Sequence, residues 1–319
     1  MQSKSKNAAS ASGSALTNAA ILLTLTLVTM LYAMTVTIAN VSLPQIKGAL
    51  SATTDEIALI ITFNIIATAV ATPMTGWLST RFGRRNTLVW AVIGFTVSSF
   101  LCGTATSLEQ LVFYRFLQGA CGAPLPPLCQ AIVVDAYPKE KIGQANAIFG
   151  MGVVLGPILA PTLGGYLSET YSWRWVFYMM VPCGLASLIG VLIFIRSHVA
   201  DKRADLDWTG FISLAVAIAA FQFMLDRGER LDWLDNWQIV ACAIAAVTGL
   251  YIFITHSLTS DRPFLNPRLL LKRNYALGLL IAFIFGLLNF TPITLIPALL
   301  QTLRGYPDSI VGLILGIRG

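Results

Sequence analysis

Long apolar runs broken by short polar segments recur along the whole chain, at about 17–43, 57–79, 87–106, 108–134, 143–167, 175–195, 209–225, 237–256 and 275–301. About twenty apolar residues, rising about 1.5 Å each in a helix, match the roughly 30 Å hydrocarbon core of a bilayer. Lipid offers the backbone no hydrogen-bond partners, so each run is predicted to be a transmembrane helix. That makes nine spans, and a tenth starts near Ile310, with Gly319 the last residue of the sequence. Residues 1–17 are Ser, Ala, Lys and Asn without apolar periodicity and are expected to form a disordered cytoplasmic tail. No small-residue cleavage site follows a short apolar core, which predicts a retained first span.

The pattern predicts an all-α polytopic membrane protein. An N-terminal six-helix bundle covers 18–195, a charged cytoplasmic connector 196–208 and two additional spans 209–256. A cytoplasmic loop, 257–274, precedes the start of an incomplete C-terminal bundle at 275–319, so that about three and a half spans follow the first six.

Charge fixes the expected orientation. The segment Gly76–Arg85 reads as a short basic hinge between spans two and three, with Arg81, Arg84 and Arg85 within five positions. Short loops rich in Lys and Arg stay on the cytoplasmic side. With the N-terminus inside, the cytoplasmic segments collect fourteen basic residues, including Lys4, Lys6, Lys202 and Arg203. The opposite side holds five: Lys47, Arg174, Arg227, Arg230 and Arg304. Trp233 and Trp237, beside the external acidic loop 226–236, are placed to anchor at headgroup depth.

Composition excludes other classes. The chain is 56% hydrophobic and 11% charged, with a mean hydropathy of +0.73, where soluble domains carry roughly 25% charged residues. Its net charge of +6 would suggest nucleic acid in a soluble chain. Here the basic residues sit in alternate loops, and no nucleic-acid partner is expected. The five cysteines lie in or beside apolar runs with no CxxC pair and read as packing residues. His198 and His256 lie near no nucleophile elbow, phosphate loop or metal cluster, so neither an enzyme nor a metal site is expected.

Polar residues inside apolar runs are the candidate chemistry. Arg115 is the one basic residue placed in the interior of the six-helix bundle, where a cation is costly and marks ion or substrate paths. Asn64, Thr68, Thr72 and Gly76 recur every four residues on span two and are candidates to line a cavity or to bond a neighbouring helix. Asn289, ahead of Pro292 and Pro297 in span nine, is a further lining candidate. None of the fifteen acids falls at mid-membrane depth; Asp135 and Asp226 lie at span ends, and Asp226 is the best remaining carboxylate. Gly152, Gly156, Ala160 and Gly164 strip one face of span five of side chains, so another helix can approach closely, and Pro157 and Pro161 bend it.

Several of these stretches resemble motifs of the major facilitator superfamily, specifically its fourteen-span drug:proton antiporters of the EmrB/QacA type. The hinge is similar to the family's GxLaDrxGrkxxl loop through Gly76, Leu78, Arg81, Gly83, Arg84 and Arg85, with Thr80 at the acidic position. Leu111–Ala123 resembles the span-four run lxxxRxxqGxgaA, with Arg115 and Gln118 at the matching places. Gly150–Gly165, with its Gly156-Pro157 pair, resembles the antiporter signature of span five. Thr35, Thr37, Asn40, Leu43 and Pro44 fall on the span-one run lDxTvvnvALP, with Thr35 where the family has its membrane acid. Met224–Gly228, with Asp226 and Arg227, followed by Asp232-Trp233, resembles the end of span seven in the EmrB branch.

The resemblance implies export of lipophilic compounds by alternating access, driven by the proton gradient with no bound cofactor, from a bacterial inner membrane. It implies Arg115 in proton transfer and the hinge as a latch between the two halves. In a two-membrane bacterium it implies a periplasmic adaptor and an outer-membrane channel as partners, beside lipid. Two other readings stay open. One is a truncated, non-transporting remnant or accessory membrane protein, because nine and a fraction spans do not supply a second bundle. The other is an importer or uniporter of the same superfamily, which the span-five signature opposes.

Overall fold

The computed structural model describes residues 2–196, 205–307, 310, 311, 313 and 314. Side chains are described from residue 16 onward, except those of 36, 289, 290, 293, 294, 297, 298 and 302. Asn289, Lys4, Lys6, Lys202, Arg203 and His198 therefore lie outside the described side chains, as does most of the expected tenth span.

The described chain is all-α, and eight of its helices are long and apolar enough to cross a membrane. Span one is Leu16–Ala49, span two begins at Thr54–Ala71, span three is Arg84–Thr104 and span four is Leu108–Ala136. Spans five to eight are Ile142–Thr170, Trp173–Phe194, Trp208–Arg227 and Trp237–Thr259. The helix expected as span nine starts at Arg273, and its apolar stretch within the described residues, Arg273–Leu288, is shorter than the others.

Three expectations are corrected. The first helix runs from Gln2 to Ala49, so the tail predicted as disordered is continuous with span one. Residues 2–17 contain no proline, and a helix nucleated in the span propagates backward cheaply. The basic hinge is not a ten-residue loop. A second helix, Met74–Phe82, carries Gly76 and Arg81, and the turn into span three is Gly83 alone, at φ 83°. Only a residue without a Cβ takes that backbone at no steric cost. Finally, spans two and four are each interrupted, at Thr72-Pro73 and at Ala123-Pro124, because a proline ring removes a helical amide donor.

Span one is central. It packs against spans four, five and six, while span two packs on span four and span three on spans four and six. The main core gathers Leu25, Val28, Leu31, Val92, Phe95, Leu128 and Val191 from these helices. Spans seven and eight form a hairpin that docks on the outside of span two. Trp90, Phe113, Ile193, Val247 and Tyr251 point outward with half or more of their surface exposed, as lipid-facing positions require.

The glycine strip of span five is the face that meets span one. A Cβ at Gly156 would lie 2.7 Å from the Met30 carbonyl oxygen, and one at Gly164 would lie 2.6 Å from Ile38 Cγ1. Small residues thus set the separation of the two helices.

The ends sort as the apolar runs require. Arg84 pairs with Asp135 and Arg85 Nη2 donates to the Leu192 carbonyl (2.9 Å), which gathers the Gly83 turn and the ends of spans four and six. At the other end Lys47 Nζ donates to Thr54 Oγ1 (2.7 Å) and Arg230 pairs with Asp55 (2.9 Å).

On the Gly83 side, Asp207 ties the start of span seven to the end of span eight. Its Oδ1 accepts from the Gly210 amide (2.9 Å) and lies 2.8 Å from His256 Nε2, and its Oδ2 accepts from the Phe264 amide (3.1 Å). Burial pushes this carboxyl up, but the two amides and the imidazole outweigh it, and its pKa lies below the ordinary 3.8. A depressed carboxylate contributes stability that is complete above its unfolded pKa and is lost as pH falls through the folded value. We therefore expect the melting midpoint to drop as pH falls below about 4, and Asp207→Asn to flatten that limb. A scan of melting against pH in detergent reads both; an unchanged acid limb in Asp207→Asn would remove Asp207 from the account.

Candidate polar centre of the six-helix bundle

Arg115 leaves span four in the middle of the bundle with 1% of its surface exposed, the largest fully buried side chain described. Its Nη1 donates to Gln118 Oε1 (2.6 Å), one turn further along the same helix. Gln118, itself fully buried, donates from Nε2 to Ser99 Oγ of span three (2.7 Å). The guanidinium carbon lies 5.8 Å from the centre of the Phe177 ring of span six, within cation–π range. Arg115 Nε has no hydrogen-bond partner, and among the described residues no carboxylate pairs with Arg115.

Span two holds span four at this level. Asn64 Nδ2 donates to the Arg115 carbonyl (2.7 Å) and Thr68 Oγ1 to the Gly119 carbonyl (3.3 Å). Gly119 allows this, since a Cβ there would collide with the Asn64 carbonyl oxygen. The ring of Tyr32, from span one, lies against Gly122. Four helices therefore converge on one polar seam around a fixed positive charge. Bonds of this kind between membrane helices are worth about 0.6 kcal/mol each on average, too little to explain a buried cation as mere glue.

The other sequence candidates divide around this centre. Asn64 and Thr68 serve interhelical bonds, while Thr72 is exposed and bonds the Thr68 carbonyl (2.6 Å). Thr35, 3% exposed, donates to the Leu31 carbonyl (3.1 Å) and lies 3.7 Å from Met180 Sδ. Thr37 donates to the Met34 carbonyl (3.2 Å), and Asn40 Oδ1 is buried without a partner. Gly152, Gly156 and Gly164 are buried beside span one, and Pro157 lies within the same unbroken helix.

Asp226 and Arg227 lie elsewhere. Asp226 Oδ2 accepts from Thr62 Oγ1 of span two (2.5 Å) and lies 3.9 Å from Arg227 Nε, while Arg227 Nη2 donates to the Asp55 carbonyl (3.0 Å). They clasp span seven to the outer flank of span two. Gly76, Arg81, Gly83, Arg84 and Arg85 form the helix and turn at the end of the bundle described above.

Ser99, Phe177 and Tyr32 were missed from sequence. A lone serine, a phenylalanine and a tyrosine in apolar runs carry no local signal; only the partner across the bundle gives them a role.

A model of the Major Facilitator Superfamily matches residues 25–318. The chain is 36% identical over 290 residues to the multidrug export protein EmrB of Escherichia coli K12, covering 91% of this chain and 57% of that protein. It is 36% identical over 278 residues to the fatty acid resistance protein FarB of Neisseria gonorrhoeae, covering 87% and 55% respectively. The chain thus spans a little over half the length of these relatives. Among solved structures it is similar to a peptide transporter, POT, in complex with sulfate, at TM-score 0.63 and 15% identity, over 93% of this chain and 65% of that one. That likeness concerns the fold.

Proposed function

Because the chain belongs to the Major Facilitator Superfamily, we propose that it serves export of lipophilic compounds across a bacterial cytoplasmic membrane, coupled to protons, by alternating access. The observation that carries this reading is the buried, acid-free guanidinium of Arg115 held by Gln118 and Phe177. The 36% identity to EmrB over 91% of the chain supports export as the direction.

An arginine keeps its proton throughout the physiological range. Arg115 is therefore a fixed charge, and the proton is carried by a carboxylate whose affinity for it that charge sets. Thr35 has a hydroxyl where the related antiporters have an acid, and Asp226 is engaged on the outer flank of span two. The carboxylate this reading leaves within the chain to carry the proton is therefore Asp226, on span seven. Gln118 and Ser99 keep the guanidinium aimed. The Gly83 end would face the cytoplasm, in keeping with its basic residues. A periplasmic adaptor and an outer-membrane channel are the partners this reading adds in a two-membrane cell.

Cells expressing the chain and loaded with a lipophilic cationic dye test this directly. We expect efflux faster than in vector controls and its collapse when a protonophore dissipates the gradient. Efflux indifferent to the protonophore, or absent from a membrane-inserted chain, would overturn the coupling or the export reading respectively.

A further inference from the structure

At the Gly83 end of the bundle, spans one, three, four and six enclose a pocket of about 590 Å³. Its charged wall is Arg84, Arg85 and Arg196 with one acid, Asp135, beside the polar Thr17 and Asn18, and its apolar wall includes Ile21 and Phe194. We propose that this pocket binds the headgroup of an anionic phospholipid, with the phosphate on the arginines and the first chain carbons along Ile21 and Phe194.

Charge and helix polarity carry the assignment together. Asp135 is committed to Arg84, and among the described residues of the pocket no other acid compensates the positive charge of Arg85 and Arg196. Arg85 contacts a carbonyl, that of Leu192, through Nη2, and its buried Nε is unpartnered. Span three also begins here, with Gly83 as a cap that offers no side-chain hydrogen bond and no acid in the first turn. A helix start already carries partial positive charge, so two arginines in its first turn are unfavourable unless an anion joins them. Basic pockets between spans on the positively charged side are suited to lipid phosphates. The apolar wall, continuous with membrane-spanning helices, distinguishes a lipid from a soluble phosphate.

Native mass spectrometry of the purified, delipidated chain tests the proposal, using dioleoyl phosphatidylglycerol, dioleoyl phosphatidylcholine and inorganic phosphate as probes. We expect preferential retention of phosphatidylglycerol. Arg85→Gln and Arg196→Gln should each weaken that retention about fivefold, a factor set by about 1 kcal/mol per basic residue near a lipid surface, without changing retention of phosphatidylcholine. Arg196 is exposed, so its variant keeps the test open if Arg85→Gln misfolds. Equal retention of the two lipids, or an unchanged preference in Arg196→Gln, would overturn the proposal. Displacement of the lipid by equimolar inorganic phosphate would overturn the lipid as its source.

Discussion

Replacing Arg115 by methionine is expected to abolish proton-linked efflux while leaving the melting midpoint of the chain within a few degrees of the parent. Two opposing terms set the small stability change. Removing a charge from the bundle interior relieves a desolvation cost of about 2.5–3.5 kcal/mol on insertion scales. Orphaning Gln118 Oε1, which accepts from Arg115 Nη1 at 2.6 Å, costs about 1–3 kcal/mol. Methionine fills most of the vacated volume and rests against Phe177 as a thioether does well. Transport has no such compensation, since the fixed charge is gone. Arg115→Lys separates charge from shape: it keeps the charge and loses the planar fork. We expect it to retain measurable efflux reduced by about tenfold, or about 1.4 kcal/mol of barrier. Dye efflux and melting measured on the same preparations check both variants. Equal activity of Arg115→Met and the parent would make Arg115 structural.

Gly119→Ala is expected to be the most damaging of the single-methyl additions to the bundle. The new Cβ would meet the Asn64 carbonyl oxygen, which is backbone and cannot turn aside. Spans two and four must part, which stretches the Asn64-to-Arg115 and Thr68-to-Gly119 bonds across the polar seam. Overpacking of this kind costs about 1–3 kcal/mol or more. Gly150→Ala makes the control. A Cβ there meets no atom within 4 Å, and alanine regains up to about 1 kcal/mol of helix propensity. Melting of the two variants side by side should give a large loss for Gly119→Ala and little change for Gly150→Ala. The reverse order would refute the packing of spans two and four described above.

The spans were legible because lipid imposes a composition that local sequence must carry. All eight long apolar helices fall on predicted runs. The interruptions at Pro73 and Pro124 were visible as residues, yet the runs were read straight through them, because hydropathy averages over a proline. The hinge was placed correctly and drawn too long. Its arginines look like a loop in composition, but only Gly83 leaves the helical backbone. Arg115 stood out because a charge in an apolar run is conspicuous. Ser99 and Phe177 did not, because their importance lies in what faces them across the bundle. The trio of Asp207, His256 and the Phe264 amide joins residues 49 and 57 apart in sequence, and no local pattern announces such a contact. The packing of span seven on span two is likewise a matter of partner choice between helices that look equally apolar in sequence.

The most direct test of the central claim is proton movement in vesicles containing only the purified chain and lipid, with a pH-sensitive dye inside and a lipophilic cation supplied as substrate. The account predicts substrate-dependent proton flux that disappears in Arg115→Met and persists, reduced, in Arg115→Lys. Substrate movement with no accompanying proton flux, or flux undiminished in Arg115→Met, would contradict it.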